Sequence, residues 1–227
     1  MKEHFLYVCG AGSKWENQEL KYSLRSVEKN VKEFDVTVVG IIPDWVKAGS
    51  LQYIPIPEPS GNRLFRVAAK IAAALPYMPD NFIHMADDFV LMEPIDFFET
   101  IYTGTLKQKL AMEQSGGYNS VHLKAEQNTL EAFIDTEKEL LDYDAHAPFP
   151  MCRDFAFSMF AAFPVWKDMQ WKCVYGNMFE IGGIQGPNAK IETWAGWKYL
   201  SLCEYPNPET QKLMHETFPE PSRFEIT

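Results

Sequence analysis

The sequence predicts an α/β domain with a mostly parallel central sheet flanked by helices. Three observations predict it. Over the first 92 residues the patterns run strand, helix, strand, strand, helix, strand, the order of parallel crossover units. The strand-length runs are continuous and rich in β-branched residues, as in sheets covered on both faces. The last of these runs follows an alanine-rich helix and delivers two adjacent acids, Asp87 and Asp88.

Residues 4–9 form an apolar run, a buried first strand, which enters the turn Gly10-Ala11-Gly12-Ser13. Trp15 stands where a third glycine would complete G-x-G-x-x-G, so a dinucleotide fold is not indicated. Two readings of this turn stand: a plain tight turn, or a small-residue loop in which Gly10 lets a nucleotide base approach the backbone. A helix opens at Asn17 or Gln18, with Leu20, Leu24, Val27 and Val31 at steps of three and four. Asn17 is placed to cap it, and Glu19 suits the positive end of its dipole. Arg25 is mid-helix, by default a solvated charge.

Residues 35–42 carry Val36, Val38, Val39, Ile41 and Ile42, a strand of a parallel sheet ended by Pro43-Asp44-Trp45. Residues 51–56 are a further short strand, and Pro55, Pro57, Pro59 and Gly61 stiffen the loop after it. Asn62 opens the clearest helix. Leu64, Phe65, Ala68, Ile71, Ala72 and Leu75 line its apolar face, its alanines favour helix, and Pro76 and Pro79 close it. Arg63, Arg66 and Lys70 share one side of it.

The turn signal Pro79-Asp80-Asn81 then starts the run that ends at Asp87 and Asp88, with Phe89 to Met92 apolar beyond them. Two carboxylates closing a buried strand repel each other unless a cation or hydrogen-bond donors hold them. A hard divalent ion on oxygen ligands is one solution, and a solvated turn capped by one aspartate is the other. Ligands of parallel sheets bind outside the carboxyl ends of the strands, the edge at which both aspartates fall.

Glu93-Pro94 breaks the chain. Beyond it, residues 95–102 read as a short helix, 118–123 as a strand and 130–141 as an amphipathic helix. Residues 142–150 form a proline-constrained loop that holds His146, and 151–163 a buried aromatic helix ended by Pro164. Tyr175-Gly176-Asn177 reads as a turn, and the last thirty residues as a tail packed over the surface. No repeat, low-complexity tract or inter-domain linker appears, so residues 1–227 read as a single domain.

Hydrophobic residues make up 46% of the 227 and aromatics 14%, a globular composition large enough for a sizeable core. The net charge of -10, from 21 basic and 31 acidic side chains, argues against nucleic acid as a partner. Cys9, Cys152, Cys173 and Cys203 make no C-x-x-C pair and read as reduced cysteines of a cytoplasmic protein. No signal peptide and no apolar run of 18 residues is visible, so no transmembrane segment is expected.

Three stretches, in order, resemble one family. Glu19-Leu20-Lys21-Tyr22-Ser23-Leu24-Arg25-Ser26-Val27-Glu28-Lys29-Asn30 resembles the "eLrYsLRSvekn" segment of the Stealth family, capsular polysaccharide phosphotransferases and N-acetylglucosamine-1-phosphotransferases. Phe82-Ile83-His84-Met85-Ala86-Asp87-Asp88-Phe89-Val90-Leu91 resembles its "fiYlNDDvfl" segment, with Ala86 where the family has Asn. His146-Ala147-Pro148-Phe149-Pro150 resembles its H-x-P segment, and the family's further N-terminal segment is not seen ahead of the first motif.

The resemblance implies a GT-A-like single domain: a nucleotide-binding half over 1–95, an acceptor-side half over 96–205 and a C-terminal tail over 206–227. It implies a nucleotide-sugar donor and a divalent metal, Mg²⁺ or Mn²⁺, held by Asp87, Asp88 and His146. Asp88 is then the direct ligand and His146 a second ligand or a general base. Arg25, within the first matching motif, then becomes a phosphate contact. Lys70, with Arg63 and Arg66, is a second phosphate contact because its helix precedes the acid pair. Arg153 after the H-x-P loop faces the acceptor or a phosphate, and Asn177 is a partner for a sugar hydroxyl. The implied function is metal-dependent sugar transfer to a glycan or lipid-linked acceptor. The alternatives are Stealth-type transfer of a sugar-1-phosphate and a non-catalytic sugar-binding domain.

Overall fold

The computed structural model describes residues 2–10, 13–116, 121–136, 138–162, 168–189, 195–202 and 205–226. Its first half follows the expected order: β1 (Glu3–Cys9), α1 (Gln18–Asn30), β2 (Phe34–Gly40), β3 (Gln52–Pro55), α2 (Arg63–Ala74) and β4 (Asn81–Ala86). With β7 (Phe149–Cys152) these strands form a five-stranded sheet in the order β3-β2-β1-β4-β7. Neighbours run parallel except β4 and β7, which are antiparallel. The fold is therefore α/β with a mostly parallel sheet, as the sequence predicts.

The β1 run is continuously apolar because helices cover both faces of the sheet. Leu6 and Val8 point to one face and pack with Ala68, Ile71 and Ala74 of α2. Phe5, Tyr7 and Cys9 point to the other and pack with Leu20, Leu24 and Val27 of α1. Each such burial stabilises by roughly 1.5–3 kcal/mol for a large side chain. Asn62 caps α2 as expected, its Oδ1 accepting the Phe65 N–H at 2.9 Å. Asn17 does not cap α1. It takes the left-handed conformation, and Ser13 Oγ accepts the N–H groups of Trp15 and Asn17 at 3.1 and 2.8 Å instead. Ser13 also donates to Glu19 at 2.8 Å, which ties Ser13 to the start of α1.

The second half departs from the sequence reading. No helix spans 95–102. Ile101–Tyr102 is a strand, β6, parallel to β8 (Ile184–Gln185). The helix α3 (Leu106–Ser115) has no counterpart in the sequence reading, because only Leu106 of it is buried and no apolar face repeats. Its start is a capping box between Thr105 and Gln108. The helix α4 (Val121–Ala132) occupies part of the stretch expected as a strand, of which residues 118–120 lie outside the described residues. It stops where the expected amphipathic helix would be starting, and Leu141 instead bridges to Thr105.

The helix α5 (Arg153–Ala162) begins after Met151, which belongs to β7, and it buries only Ala156 and Met159. Phe163 and Pro164 lie outside the described residues. Tyr175-Gly176-Asn177 is helical, inside α6 (Trp171–Met178). Gly176 is there for closeness: a Cβ on it would collide with the Tyr143 ring. The run after the two aspartates is β5 (Phe89–Leu91), antiparallel to β9 (Tyr199–Ser201). The expected tail contains α7 (Pro208–Thr217) and then returns across α1. Cys9, Cys152 and Cys173 are free thiols, and Cys203 lies outside the described residues. Among the described residues no helix is long and apolar enough to cross a membrane.

Candidate functional site at the carboxyl edge of the sheet

The strand order reverses at β1. From β1 the chain works outward through β2 to β3, and α2 carries it back to β4 on the other side of β1. Such a switch point leaves a crevice beyond the carboxyl ends of the two central strands. Val8 faces Ala86 in the register, so Gly10 and Asp87 leave the sheet as near neighbours. A cleft of about 730 Å³ opens there. Val8, Gly10, His84 and Ala86 line its base, and Arg63, Arg66, Val67 and Lys70 of α2 line one side. Ser13, Lys14, Glu19, Glu58, Leu202 and Tyr205 complete it around Asp87 and Asp88.

The two acids are held differently. Asp88 Oδ2 accepts a hydrogen bond from Ser201 Oγ at 2.8 Å, and the Asp88 carbonyl accepts the Leu202 N–H at 2.9 Å. β9 thus aims this side chain. Asp87 is half-buried, and its carboxyl is pushed up to about 7 by burial first, then by Asp88 and Glu19, against the pull of Arg63. Arg63 is exposed at the first position of α2, where the helix dipole adds positive potential. It makes no hydrogen bond or ion pair with another described residue. A pair of carboxylates short of counter-charge, beside an uncommitted guanidinium, is an arrangement suited to a cation and a phosphate together.

Lys70 and Gly10 also line this cleft. Lys70 is not a free cation, however. Its buried Nζ donates to the Cys9 carbonyl at 2.8 Å and to Glu58 Oε2 at 2.6 Å. Arg66 lies 3.4 Å from the other Glu58 oxygen. His84 is buried, and neither ring nitrogen has a hydrogen-bond partner among the described residues. Burial, then the charge of Lys172, hold its pKa well below the ordinary value. It is a neutral imidazole at the base of the cleft.

His146 reaches the same edge by another route. Phe149 faces His84 across the antiparallel β7–β4 pair, so the chain enters β7 at the end where the aspartates lie. His146 itself adopts a left-handed backbone with φ 48. Burial alone would raise Asp144, but the charges of His146 and then Lys172 outweigh it and hold that carboxyl below its ordinary value. Lys172 is buried on the faces of Phe89, Phe149 and Trp171, 5.2, 5.7 and 5.9 Å from the ring centres. Its charge acts on both Asp144 and Asp88.

The expected triad of Asp87, Asp88 and His146 is not assembled. Among the described residues no group of three or more His, Cys, Asp or Glu side chains is arranged to hold a metal ion. Among the described residues, the aspartate pair offers oxygen donors of the kind a hard divalent ion takes. An ion held there by two carboxylates would need further oxygen ligands from water or from a phosphate.

Three other expected site residues are elsewhere. Arg25 forks onto Glu225, with Nε and Nη2 at 2.7 and 2.6 Å from the two carboxylate oxygens, and Nη1 donates to the Phe218 carbonyl at 2.9 Å. It is a clamp on the C-terminal segment, neither solvated nor in the cleft. Arg153 donates to the Met78 carbonyl and to Asp80 at 3.0 and 2.6 Å, at the amino end of β4, opposite the acids. Asn177 is helical and ties α6 to Leu141 through both its amide groups, at 2.8 and 2.9 Å. It provides neither a left-handed turn nor a free amide.

Glu58, Lys14, Ser201, Asp144 and Lys172 escaped the sequence reading. For Glu58 a signal existed: a lone acid between Pro57 and Pro59, just beyond a strand. For Ser201 and Lys172 none did, since only distant chain segments give them a role.

A second cleft of about 820 Å³ lies at the amino edge of the sheet, with Lys2, His4, Asp35 and Arg223 in its lining. Lys2, Lys32 and Arg223 in it are each held by an acid, Asp35 at 2.7 Å, Asp96 at 3.5 Å and Glu28 at 3.8 Å, and it holds no pair of adjacent aspartates. The candidate site is therefore the cleft at the carboxyl edge.

No family model and no curated protein matches the chain. Among solved structures it is similar to an active-site mutant of LgtC, at 11% identity and a TM-score of 0.45, over 78% of this chain and 70% of that one. It is similar at 9% identity, with the same TM-score and coverage, to the galactosyltransferase LgtC in complex with donor and acceptor sugar analogs. Likeness at that distance assigns neither a family nor an activity.

Proposed function

We propose that the chain is a transferase that takes a nucleotide-sugar donor together with a divalent cation, Mg²⁺ or Mn²⁺, and passes the sugar to a hydroxyl of a glycan or glycolipid. The observation that carries this reading is the aspartate pair at the switch point, with Arg63 beside it. A dianionic diphosphate needs cationic partners, and a bridging cation supplies charge neutralisation to its leaving group. Asp88, aimed by Ser201, and Asp87, pushed up by burial and then by Asp88 and Glu19, would hold that cation. Arg63 forks onto phosphate oxygens as they gain charge. His146, with Asp144 as its anionic neighbour, takes the proton of the acceptor hydroxyl at the same edge. The bond from the anomeric carbon to phosphate breaks, the bond to the acceptor oxygen forms, and nucleoside diphosphate leaves.

The test is turnover of a panel of nucleotide sugars with Mn²⁺ by wild type and Asp88→Ala. The expected result is release of nucleoside diphosphate by wild type, lost in a chelator and lowered at least about 100-fold in the variant. Equal turnover by a folded Asp88→Ala protein would overturn the site assignment. Release of nucleoside monophosphate would mark sugar-phosphate transfer instead.

A further inference from the structure

Glu58 lines the cleft and has no task in the transfer proposed above. Its loop leaves β3 through Pro57-Glu58-Pro59, where two prolines restrict the backbone. Lys70 holds one carboxylate oxygen at 2.6 Å, and Arg66 lies 3.4 Å from the other. Lys70 is itself anchored on the Cys9 carbonyl at 2.8 Å, so the Glu58 carboxylate is fixed to the end of β1. A Cβ built on Gly10 would lie 3.7 Å from Glu58 Oε2, so the carboxylate stands over the glycine that begins the loop after β1. Its side chain remains 29% exposed.

Two cations flank this carboxylate, and a carboxylate accepts hydrogen bonds from N–H and O–H groups. A carboxylate offers about four lone-pair directions, and the two cations occupy one on each oxygen. The others are available to a ligand in the cleft. Such a ligand must present N–H or O–H groups there, because a lone pair facing a fixed anion is repelled. Asp87 and Asp88 follow β4, and Arg63 acts on Asp87, whereas Glu58 is tied through Lys70 to the end of β1, next to Gly40 at the end of β2. If the diphosphate occupies the aspartate side, the nucleoside is what remains for the Glu58 side.

We infer that Glu58 is a specificity-determining residue that accepts hydrogen bonds from the nucleoside of the donor. The groups with the required chemistry are the imino N–H of uracil or guanine and the cis-diol of ribose. Cytosine and adenine present an unprotonated ring nitrogen in place of the imino N–H, and a 2′-deoxyribose lacks one hydroxyl. The inference rests on the nucleotide-sugar reading.

The experiment is calorimetric binding of UDP, GDP, CDP, ADP and 2′-deoxy-UDP, each with Mn²⁺, to wild type, Glu58→Gln and Glu58→Asp. A charge-assisted bond lost or replaced by repulsion is a difference of about tenfold or more in Kd. If the base is read, wild type favours UDP and GDP over CDP and ADP by that factor. If the ribose is read, it favours UDP over 2′-deoxy-UDP. Glu58→Gln loses the preference, and Glu58→Asp, which keeps the charge but withdraws it, retains part of it. Preferences unchanged in a folded Glu58→Gln protein overturn the inference. So does tighter binding of every nucleotide by that variant, which would make Glu58 only a counter-ion that ligands displace. Wild type that binds none of the five overturns the nucleotide reading itself.

Discussion

Glu126 is a fully buried carboxyl, and neither of its oxygens has a hydrogen-bond partner among the described residues. Burial first, and then Glu113, push it up to about 8, with Lys109 opposing. The unfolded chain releases this proton near the ordinary value of 4.5, whereas the folded chain keeps it to about 8. The folded state therefore binds more protons across that window, and this group's contribution to stability falls as pH rises through it. Thermal melts between about pH 4.5 and 8.5 should show that decline in wild type. In Glu126→Gln the slope should be flatter, with no change in nucleotide binding. Gly40 is a second residue that decides more than its size suggests. It closes β2 at φ 111, and a Cβ there would run into the Cys9 carbonyl that holds Lys70. Gly40→Ala should destabilise by about 1–3 kcal/mol, read from denaturant midpoints, through strain in a conformation that side chains rarely adopt.

At the scale of elements, the first helix owes its position to a contact 200 residues away in sequence. Arg25 and Glu225 face each other with side chains only 13% and 6% exposed, and Arg25 also ties down the Phe218 carbonyl. The hydrogen bond to Glu225 dominates and raises the Arg25 pKa, with burial opposing, so the pair is charged throughout the physiological range. Removing Arg25 leaves the Glu225 carboxylate buried without its counter-charge, held among the described residues only by Ser222. Arg25→Ala should therefore cost about 3 kcal/mol of stability, and nucleotide affinity measured well below its melting point should stay as in wild type. A phosphate-binding Arg25 would give the opposite pattern, with affinity lost and stability kept. The same contrast separates β4 from its surroundings. Its acids stand at one end and Arg153 clamps the other to Asp80, so Arg153→Ala should loosen the β4–β7 pair without touching the cleft chemistry.

For the whole molecule, the cleft joins pieces from both halves of the chain: β1, α2 and β4 from the first, and from the second Leu202 and Tyr205, with Ser201 of β9 bonded to Asp88. A ligand bound there stabilises the entire fold by mass action, by about 2.7 kcal/mol at a hundredfold excess over Kd. Because the aspartate pair and the diphosphate would share one cation, Mn²⁺ and UDP together should raise Tm by more than the sum of their separate effects. Asp88→Asn should abolish that excess while leaving Tm without ligands close to wild type.

How much of this is legible in the sequence follows from where the information lies. The first half is legible almost element by element. Its strands are apolar runs covered on both faces, and its helices carry repeating apolar stripes, so local pattern and tertiary environment agree there. The second half is not. α3 buries one residue, α4 has a weak stripe, and Gly176 sits in a helix because Tyr143 needs the space. These elements are set by packing against the rest of the molecule, and propensity alone misplaces them.

The site divides in the same way. By itself the sequence determined an α/β domain, two acids at the end of a buried strand and a basic face on the helix before it, because each of these is a pattern over a few neighbouring residues. Only the tertiary structure decided which charges are free. It committed Arg25 to Glu225, Arg153 to Asp80 and Asn177 to Leu141, bound Lys70 to Glu58, and left Arg63 beside Asp87. The physical reason is that a side chain's chemistry depends on its partners, and these partners are brought together by the sheet from segments that the sequence keeps far apart.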